Sequence, residues 1–360
     1  MINSARSQNP NGVPSLSPGL RVPALTWVTG IFRVLNPNGV APFLLLFCLL
    51  LTTARAADVP TVLIVVGAPG EEEYGTAFAK AAELWRAAAE KGAATNQVIG
   101  LAPTNATTTD RALFTAALTN APHDGLAPLW IVLVGHGTYD GREAKFNLRG
   151  PDFAATELAA WLKPFTRPLA VIDSSSASAP FMAALKGTNR VVITATRSGS
   201  EENYARFGTY LAETIADPAA DLDKDGQTSL LEAFLMASRR TLEFYTTAGR
   251  LATEHPLLDD NGDGLGTPAD WFRGIRAIKR ARDGATLDGL RAHQFHLVPS
   301  PAEAALPPER RRRRDALELT VTQLRDRKAK LPEEDYYRQL EPLMLELSRL
   351  STTTPDGPPK

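Results

Sequence analysis

Short runs of apolar and β-branched residues alternate with helical patterns through the first part of the chain. The runs that predict strands are Thr61–Val66, Gln97–Leu101, Leu129–Val134, Pro168–Asp173 and Arg190–Thr196. Leu129–Val134 is apolar at every position, which is typical of a strand that is covered on both faces in a parallel sheet. Strands that alternate with helices predict crossover connections. The pattern therefore predicts an α/β fold, a three-layer sandwich with a mostly parallel sheet.

The last part of the chain carries two amphipathic stretches within 317–351. Leu317, Val321 and Leu324 share one face of the first stretch, and Tyr337 and Leu340 begin the apolar face of the second. Two such helices joined by a short turn predict a helical hairpin. The second helix is expected to bend or restart near Pro342, because proline removes a helical hydrogen bond. The tail 352–360 is expected to be disordered.

Smaller elements are predicted between these two parts. We expect a hairpin through Phe146–Leu148, a basic helix over Trp271–Asp283 and a short extended piece over Ala292–Leu297. A Pro- and Arg-rich linker is expected over 299–316, and it includes the consecutive arginines Arg310–Arg314. These arginines could form a patch for an anionic surface, but the solvated first turn of a helix is the favoured interpretation.

Composition sets broad limits on function. The 360 residues are 44% hydrophobic and 22% charged, with a formal net charge of −1, as in an ordinary soluble globular protein. This charge gives no signal for binding nucleic acid or an anionic membrane, so no nucleic-acid partner is predicted. The single cysteine, Cys48, excludes an internal disulfide framework and a cysteine zinc cluster.

The first 57 residues are typical of a secretory signal. They contain no acidic residue, and basic residues such as Arg33 precede the apolar run Val40–Leu51. Small residues follow up to Ala57 and predict cleavage near Ala56. The apolar run is too short to cross a membrane, so no membrane span is expected after cleavage. We therefore expect a signal peptide over 1–56 and export to the periplasm or the cell exterior.

Candidate chemistry lies where two of the predicted strands end. Gly135-His136-Gly137 follows the strand Leu129–Val134, and a serine-rich turn over 174–178 follows the next strand. Ligands and catalytic groups gather at the carboxyl edge of open α/β sheets. Two plainer interpretations stay open. His136 could simply occupy a turn, and the small serines could let the strand end pack tightly.

This arrangement resembles that of the caspase-like cysteine peptidases, and the legumain-type branch in particular. In that family a histidine-glycine pair follows one strand and the nucleophile turn follows the next. The turn Asp173-Ser174-Ser175 resembles the legumain nucleophile turn, with Ser175 in the place of the cysteine. The stretch Val191–Tyr204 is also similar, and the resemblance covers roughly 62–216. It implies a caspase-like fold and a peptidase site at His136 and Ser175.

The replacement of cysteine by serine changes the expected chemistry. A thiol with a pKa of about 8.5 is readily deprotonated by a nearby imidazole, but a serine hydroxyl needs an oriented base and an oxyanion hole. Asp173 and Asp140 are the candidates for orienting His136. We expect a catalytically inactive homologue that binds a peptide or protein in its cleft. An active calcium-dependent endopeptidase that uses Ser175 and His136 is the alternative, and a different hydrolytic reaction on the same fold is a third.

Two acidic segments further along match the calcium loop of EF-hand proteins. In that loop, oxygen ligands stand at positions one, three, five, seven and twelve, and a glycine at position six makes the turn. The first segment has Gly226 at position six, and its predicted ligands are Asp221, Asp223, Asp225, Gln227 and Glu232. The second segment has the predicted ligands Asp259, Asn261, Asp263, Leu265 and Asp270, with an aspartate at position twelve. An acidic surface turn is the plainer interpretation, and His293 and His296 are expected to be surface or packing residues.

The predicted organisation combines these segments, with calcium ions as the expected cofactor. It consists of a signal peptide (1–56), a caspase/legumain-like α/β domain (57–216), an EF-hand-like calcium-binding region (217–298), a linker (299–316), a C-terminal amphipathic helical hairpin (317–351) and a disordered tail (352–360).

Overall fold

The computed structural model describes residues 59–103 and 108–352. The predicted signal peptide and the tail from residue 353 lie outside these residues. Within the described residues, no helix combines the length and apolar character needed to cross a membrane.

A seven-stranded sheet forms the centre of the fold, with the strand order β10-β9-β8-β7-β3-β1-β2. Its strands are β1 (Thr61–Val66), β2 (Thr95–Ile99), β3 (Leu129–Val134), β7 (Leu169–Asp173), β8 (Arg190–Thr194), β9 (Leu257–Asp259) and β10 (Thr267–Pro268). The five strands foreseen in the sequence pair in parallel, and β9 and β10 add antiparallel pairs at one edge. The prediction of a mostly parallel α/β sandwich is confirmed.

Helices cover both faces of this sheet. They are α1 (Glu72–Lys91), α2 (Asp110–Asn120), α3 (Ala155–Leu162), α4 (Ala179–Leu185), α5 (Phe207–Thr214) and α6 (Leu230–Thr247). On one face, α1, α5 and α6 pack against a cluster that includes Trp130. On the other face, α2, α3 and α4 pack against a cluster that includes Ile131. Successive residues of β3 enter opposite clusters because strand side chains alternate in direction, and the whole strand is therefore buried.

A small antiparallel sheet extends from the end of β3. Its strands are β4 (Gly137–Tyr139), β5 (Ala144–Phe146) and β6 (Phe153–Ala154). The hairpin expected at Phe146–Leu148 therefore turns earlier in the chain, between β4 and β5. Asp140 makes that turn by accepting backbone hydrogen bonds from Arg142 and Glu143.

The segment after α6 differs from its prediction. No basic helix forms over Trp271–Asp283. Instead, a 3₁₀ turn (Ala269–Trp271) leads into a two-stranded hairpin of β11 (Phe272–Arg273) and β12 (Arg276–Ala277). Gly274 lies between these strands with a φ of 60°, a left-handed conformation that reverses the chain and ends any helix. The piece expected to be extended over 292–297 begins inside a short helix, α7 (Leu290–His293).

The segment predicted as a linker over 299–316 is mostly helical. It contains α8 (Pro301–Ala305) and the start of α9 (Pro308–Asp326), which pairs with α10 (Glu333–Thr352). Each of α8 and α9 starts with a proline, which the first turn of a helix tolerates because the N–H groups there have no helical partner. The predicted hairpin is present. Its second helix continues through Pro342 and does not restart there.

The arginine run lies in the first turns of α9, as the favoured interpretation expected, but it is not simply solvated. Arg314 donates two hydrogen bonds to Glu303, and Arg311 forms a second ion pair with this buried carboxylate. Arg313 donates two hydrogen bonds to Glu346 of α10. The run therefore ties α9 to both α8 and α10.

Candidate functional site

The structure brings the histidine turn and the serine turn to the same edge of the sheet. His136 follows β3, and Asp173 ends the neighbouring strand β7, where it is in register with Leu133. The two turns approach closely at Gly137. A Cβ atom on Gly137 would lie 2.3 Å from the carbonyl oxygen of Ser176 and 2.8 Å from Ser175 Oγ. The absence of a side chain at this position therefore permits the contact.

Each serine of the turn is buried and hydrogen-bonded within the protein. Ser174 Oγ donates to the Leu133 carbonyl (2.5 Å), and Ser176 Oγ donates to the Gly137 carbonyl (3.1 Å). Ser178 Oγ accepts from two backbone N–H groups at the end of β8. Ser175, the predicted nucleophile, is fully buried, and its Oγ donates to Asp173 Oδ1 (2.6 Å). The serine turn thus fastens neighbouring strand ends to one another.

His136 faces a different environment from that of Ser175. Its Nε2 lies 3.3 Å from the Pro69 carbonyl oxygen, and its ring packs edge-on against Tyr74 and Phe78. Burial lowers the pKa of His136, which favours the neutral imidazole. Among the hydrogen bonds of the described residues, none joins His136 to Ser175. The structure therefore places the two predicted catalytic residues at one edge without forming a base–nucleophile pair.

Neither candidate carboxylate orients the histidine. Asp173 is fully buried and accepts from both the Oγ and the backbone N–H of Ser175, and its Oδ2 has no hydrogen-bond partner among the described residues. Burial raises the pKa of Asp173 to about 6, although both Ser175 hydrogen bonds oppose this rise. Asp140 serves the turn between β4 and β5 and is exposed. A triad would need a carboxylate bonded to the imidazole, and these two are engaged elsewhere.

The backbone donors beside the two side chains are also occupied. Gly137 N–H donates to Ser176 Oγ (3.2 Å), and Ser175 N–H donates to Asp173 Oδ1 (3.1 Å). An oxyanion hole needs preorganised donors directed at the developing negative charge. Here both donors already have partners within the protein.

The first acidic segment folds into a compact loop between a 3₁₀ turn (Pro218–Ala220) and α6. Asp221 accepts from the backbone N–H groups of Lys224 and Gly226, at positions four and six. Asp223 accepts from the N–H of position five, and Asp225 accepts from the N–H of position seven. Lys224 and Gly226 adopt φ angles of 64° and 92°. The three aspartate carboxylates are thereby held by backbone N–H groups within the loop.

The donor set of this first loop suits a calcium ion. Carboxylate oxygens of Asp221, Asp223 and Asp225 all lie within 4.8 Å of one another. Two oxygens bound to one calcium ion at about 2.4 Å each are separated by at most about 4.8 Å, so the three carboxylates fit a single ion. Glu232 at position twelve is buried and accepts from the N–H groups of Leu222 and Asp223, which closes the loop.

The second acidic segment connects β9 to β10 and repeats the same pattern. Asp259 accepts from the N–H groups of Gly262 and Gly264, at positions four and six. Asn261 accepts from the N–H of position five, and Asp263 accepts from the N–H of Leu265 at position seven. Gly262 and Gly264 adopt φ angles of 81° and 76°. The two loops therefore share one backbone arrangement although they lie in different contexts.

One predicted ligand of the second loop does not take part in this arrangement. Asp270 is exposed in the 3₁₀ turn after β10, and no described hydrogen bond joins it to the loop. Two residues outside both segments contact the loops instead. His293 Nε2 lies 3.0 Å from Asp223 Oδ2 in the first loop. Asp288 accepts a hydrogen bond from the backbone N–H of Asp260 in the second loop. No spacing rule in the sequence points to either residue, because both contacts depend on how the chain folds back.

Comparison with known proteins gives structural matches alone. No family model and no curated protein matches the chain. The Drosophila initiator caspase Dronc matches with 13% identity and a TM-score of 0.40, over 58% of this chain and 81% of Dronc. Caspase-1 from Spodoptera frugiperda matches with 8% identity and a TM-score of 0.36, over 56% of this chain and 86% of the caspase-1 chain. At these values the matches do not bear on the chemistry of the site.

Proposed function

We propose that this chain is an exported, calcium-binding homologue of caspase/legumain-type peptidases, that it is catalytically inactive, and that it acts as a binding or scaffolding protein. The observation that carries the proposal is Ser175. Its hydroxyl is fully buried and is bonded to Asp173, while His136 faces the Pro69 carbonyl. Loose geometry in a ligand-free site would not by itself argue against catalysis, but the burial of the Ser175 hydroxyl supports its absence, because a substrate would have to reach that atom.

Calcium has a stabilising role in this proposal. Both acidic loops end next to elements of the core, since the first leads into α6 and the second joins two strands of the sheet. A bound ion would neutralise the clustered carboxylates and favour the folded state by mass action. Extracytoplasmic sites of this type work with dissociation constants of about 10⁻⁴–10⁻³ M. The signal peptide predicted over 1–56 would bring the protein into such an environment.

Peptide-library hydrolysis tests the absence of catalysis. We expect the purified protein, saturated with calcium, to cleave no peptide faster than its Ser175→Ala variant. Hydrolysis that disappears in both Ser175→Ala and His136→Ala would instead establish the active endopeptidase. Hydrolysis that disappears in His136→Ala and persists in Ser175→Ala would indicate a different nucleophile on the same fold.

Thiol labelling tests the burial of the nucleophile position directly. In a Cys48→Ala background, a Ser175→Cys variant should react with a thiol reagent only after denaturation, because position 175 is fully buried. Ser200 is exposed, and a Ser200→Cys variant is the matched control that should react in the native protein. Rapid native labelling of Ser175→Cys would show an open site and contradict the proposal.

A further inference from the structure

The carboxylate at position twelve of the first loop makes a distinctive set of contacts. One oxygen of Glu232 accepts from the backbone N–H groups of positions two and three, Leu222 (2.7 Å) and Asp223 (3.2 Å). Its other oxygen accepts from the hydroxyl of position nine, Ser229 (2.7 Å). These contacts draw the end of the loop back against its beginning, and a carboxylate oxygen of Glu232 lies within 4.8 Å of one of Asp223.

In the second loop, Asp288 makes the same set of contacts. Its Oδ1 accepts from the N–H groups of positions two and three, Asp260 (3.0 Å) and Asn261 (3.1 Å). Its Oδ2 accepts from the hydroxyl of position nine, Thr267 (2.5 Å). These three contacts correspond to those of Glu232, although Asp288 lies well beyond the end of the loop in the sequence. Glu232 accepts one more hydrogen bond, from the Ser229 N–H, which has no counterpart at Asp288.

A further contact holds Asp288 in this place. The side chain of Asp260 accepts from the backbone N–H groups of Gly289 (2.9 Å) and Ala292 (2.8 Å). The residue at position two thus anchors the start of α7, and Asp288 directly precedes this anchored segment. The loop and the segment that carries Asp288 are bonded to each other in both directions.

A cation would compensate the negative charge of this region. Asp259, Asp260 and Asp288 are each less than 10% exposed, and within the described part of the chain none of them forms an ion pair. In addition, Asp263 Oδ2, at position five of the same loop, is buried without a hydrogen-bond partner among the described residues. Buried carboxylates are costly unless they are paired or coordinate a metal.

We propose that Asp288, and not Asp270, is the position-twelve carboxylate of the second loop and completes a second calcium site there. This inference rests on the proposed calcium function and adds a ligand that lies outside the sequence motif. The second site is therefore assembled from two distant segments, whereas the first is contained in one. Calcium at the second site would fasten the start of α7 to the edge of the sheet.

Calorimetric titration with calcium tests the assignment on the full chain, with the number of bound ions and their affinities as the readout. Asp288→Asn should weaken one calcium site at least about tenfold, because it removes a ligand charge and keeps an acceptor for both N–H groups. Asp259→Asn, which changes position one of the same loop, should weaken that same site. Asp270→Asn is the matched control and should leave both sites unchanged.

Unfolding in the presence of a chelator separates a ligand from a structural contact. If Asp288 is a ligand, Asp288→Asn keeps the stability of the calcium-free protein and loses part of the stabilisation that calcium adds. If Asp288 only fastens the segment, the calcium affinities and the stabilisation that calcium adds stay unchanged in Asp288→Asn, which overturns the assignment. A weakened site in Asp270→Asn but not in Asp288→Asn also overturns it. If Asp259→Asn has no effect on binding, the proposed second calcium site itself fails.

Discussion

Replacing Asp173 by asparagine should stabilise the protein at neutral pH. Asp173 is fully buried between two strand ends, and within the described residues it has no ion-pair partner. Asparagine has nearly the same shape, and its Oδ1 can still accept from the Ser175 N–H and Oγ that now bind the carboxylate. The substitution therefore removes a buried charge and keeps the hydrogen bonds to Ser175.

The magnitude follows from the pKa of this group. Burial raises the pKa of Asp173 from 3.8 to about 6, and each pKa unit corresponds to about 1.4 kcal/mol. Because the folded pKa lies above the unfolded value, the wild type has its full stability below pH 3.8 and loses it as the pH rises through 6. The loss amounts to about 3 kcal/mol, and Asp173→Asn should not show it.

Urea unfolding of both proteins, in saturating calcium from pH 4 to pH 8, measures this difference. The other titrating groups contribute equally to the unfolding free energy of variant and wild type, so their contributions drop out of the difference between the two. It should grow in favour of Asp173→Asn as the pH rises. Asp140→Asn is the control. Asp140 is exposed, and its hydrogen bonds with the backbone N–H groups of Glu143 and Arg142 lower its pKa. This variant should therefore not gain stability relative to the wild type as the pH rises. A difference for Asp173→Asn that is independent of pH would refute the reasoning.

Two further predictions concern packing and ion pairing. Glu303→Gln should lower the free energy of unfolding in urea by about 3 kcal/mol, because it removes the buried carboxylate that accepts two hydrogen bonds from Arg314. A loss below about 0.5 kcal/mol would show that the pair acts like a surface ion pair. Gly92→Ala should cost at least about 2 kcal/mol, because its Cβ would lie 1.8 Å from the Leu297 carbonyl oxygen. Gly92 directly follows α1, and the control Gly75→Ala lies inside that helix, where the nearest atom to an added Cβ is 3.4 Å away; it should be neutral or stabilising by up to about 1 kcal/mol. Equal effects of the two glycine substitutions would contradict this explanation.

The sequence alone determined the elements whose signal is local. The strands β1, β3, β7 and β8 were predictable because each contains a run of at least three consecutive apolar residues that the sheet buries on both faces. The backbone of the first calcium-type loop was predictable for a similar reason, since its residues are contiguous and its hydrogen bonds span only a few positions. The edge strands β9 and β10 were not predictable, because runs of two or three residues carry no usable periodicity.

Tertiary structure decided the environment of each candidate side chain. The motif placed Ser175 and His136 at one edge of the sheet. Whether Ser175 faced solvent or Asp173 depended on how the turn closes against Gly137. The contact of Asp288 with the second loop is a similar case, because Asp288 is held there by the segment at the start of α7, which is anchored on Asp260. Sequence patterns report interactions between neighbours along the chain, whereas burial and partner choice arise from segments that meet only after folding.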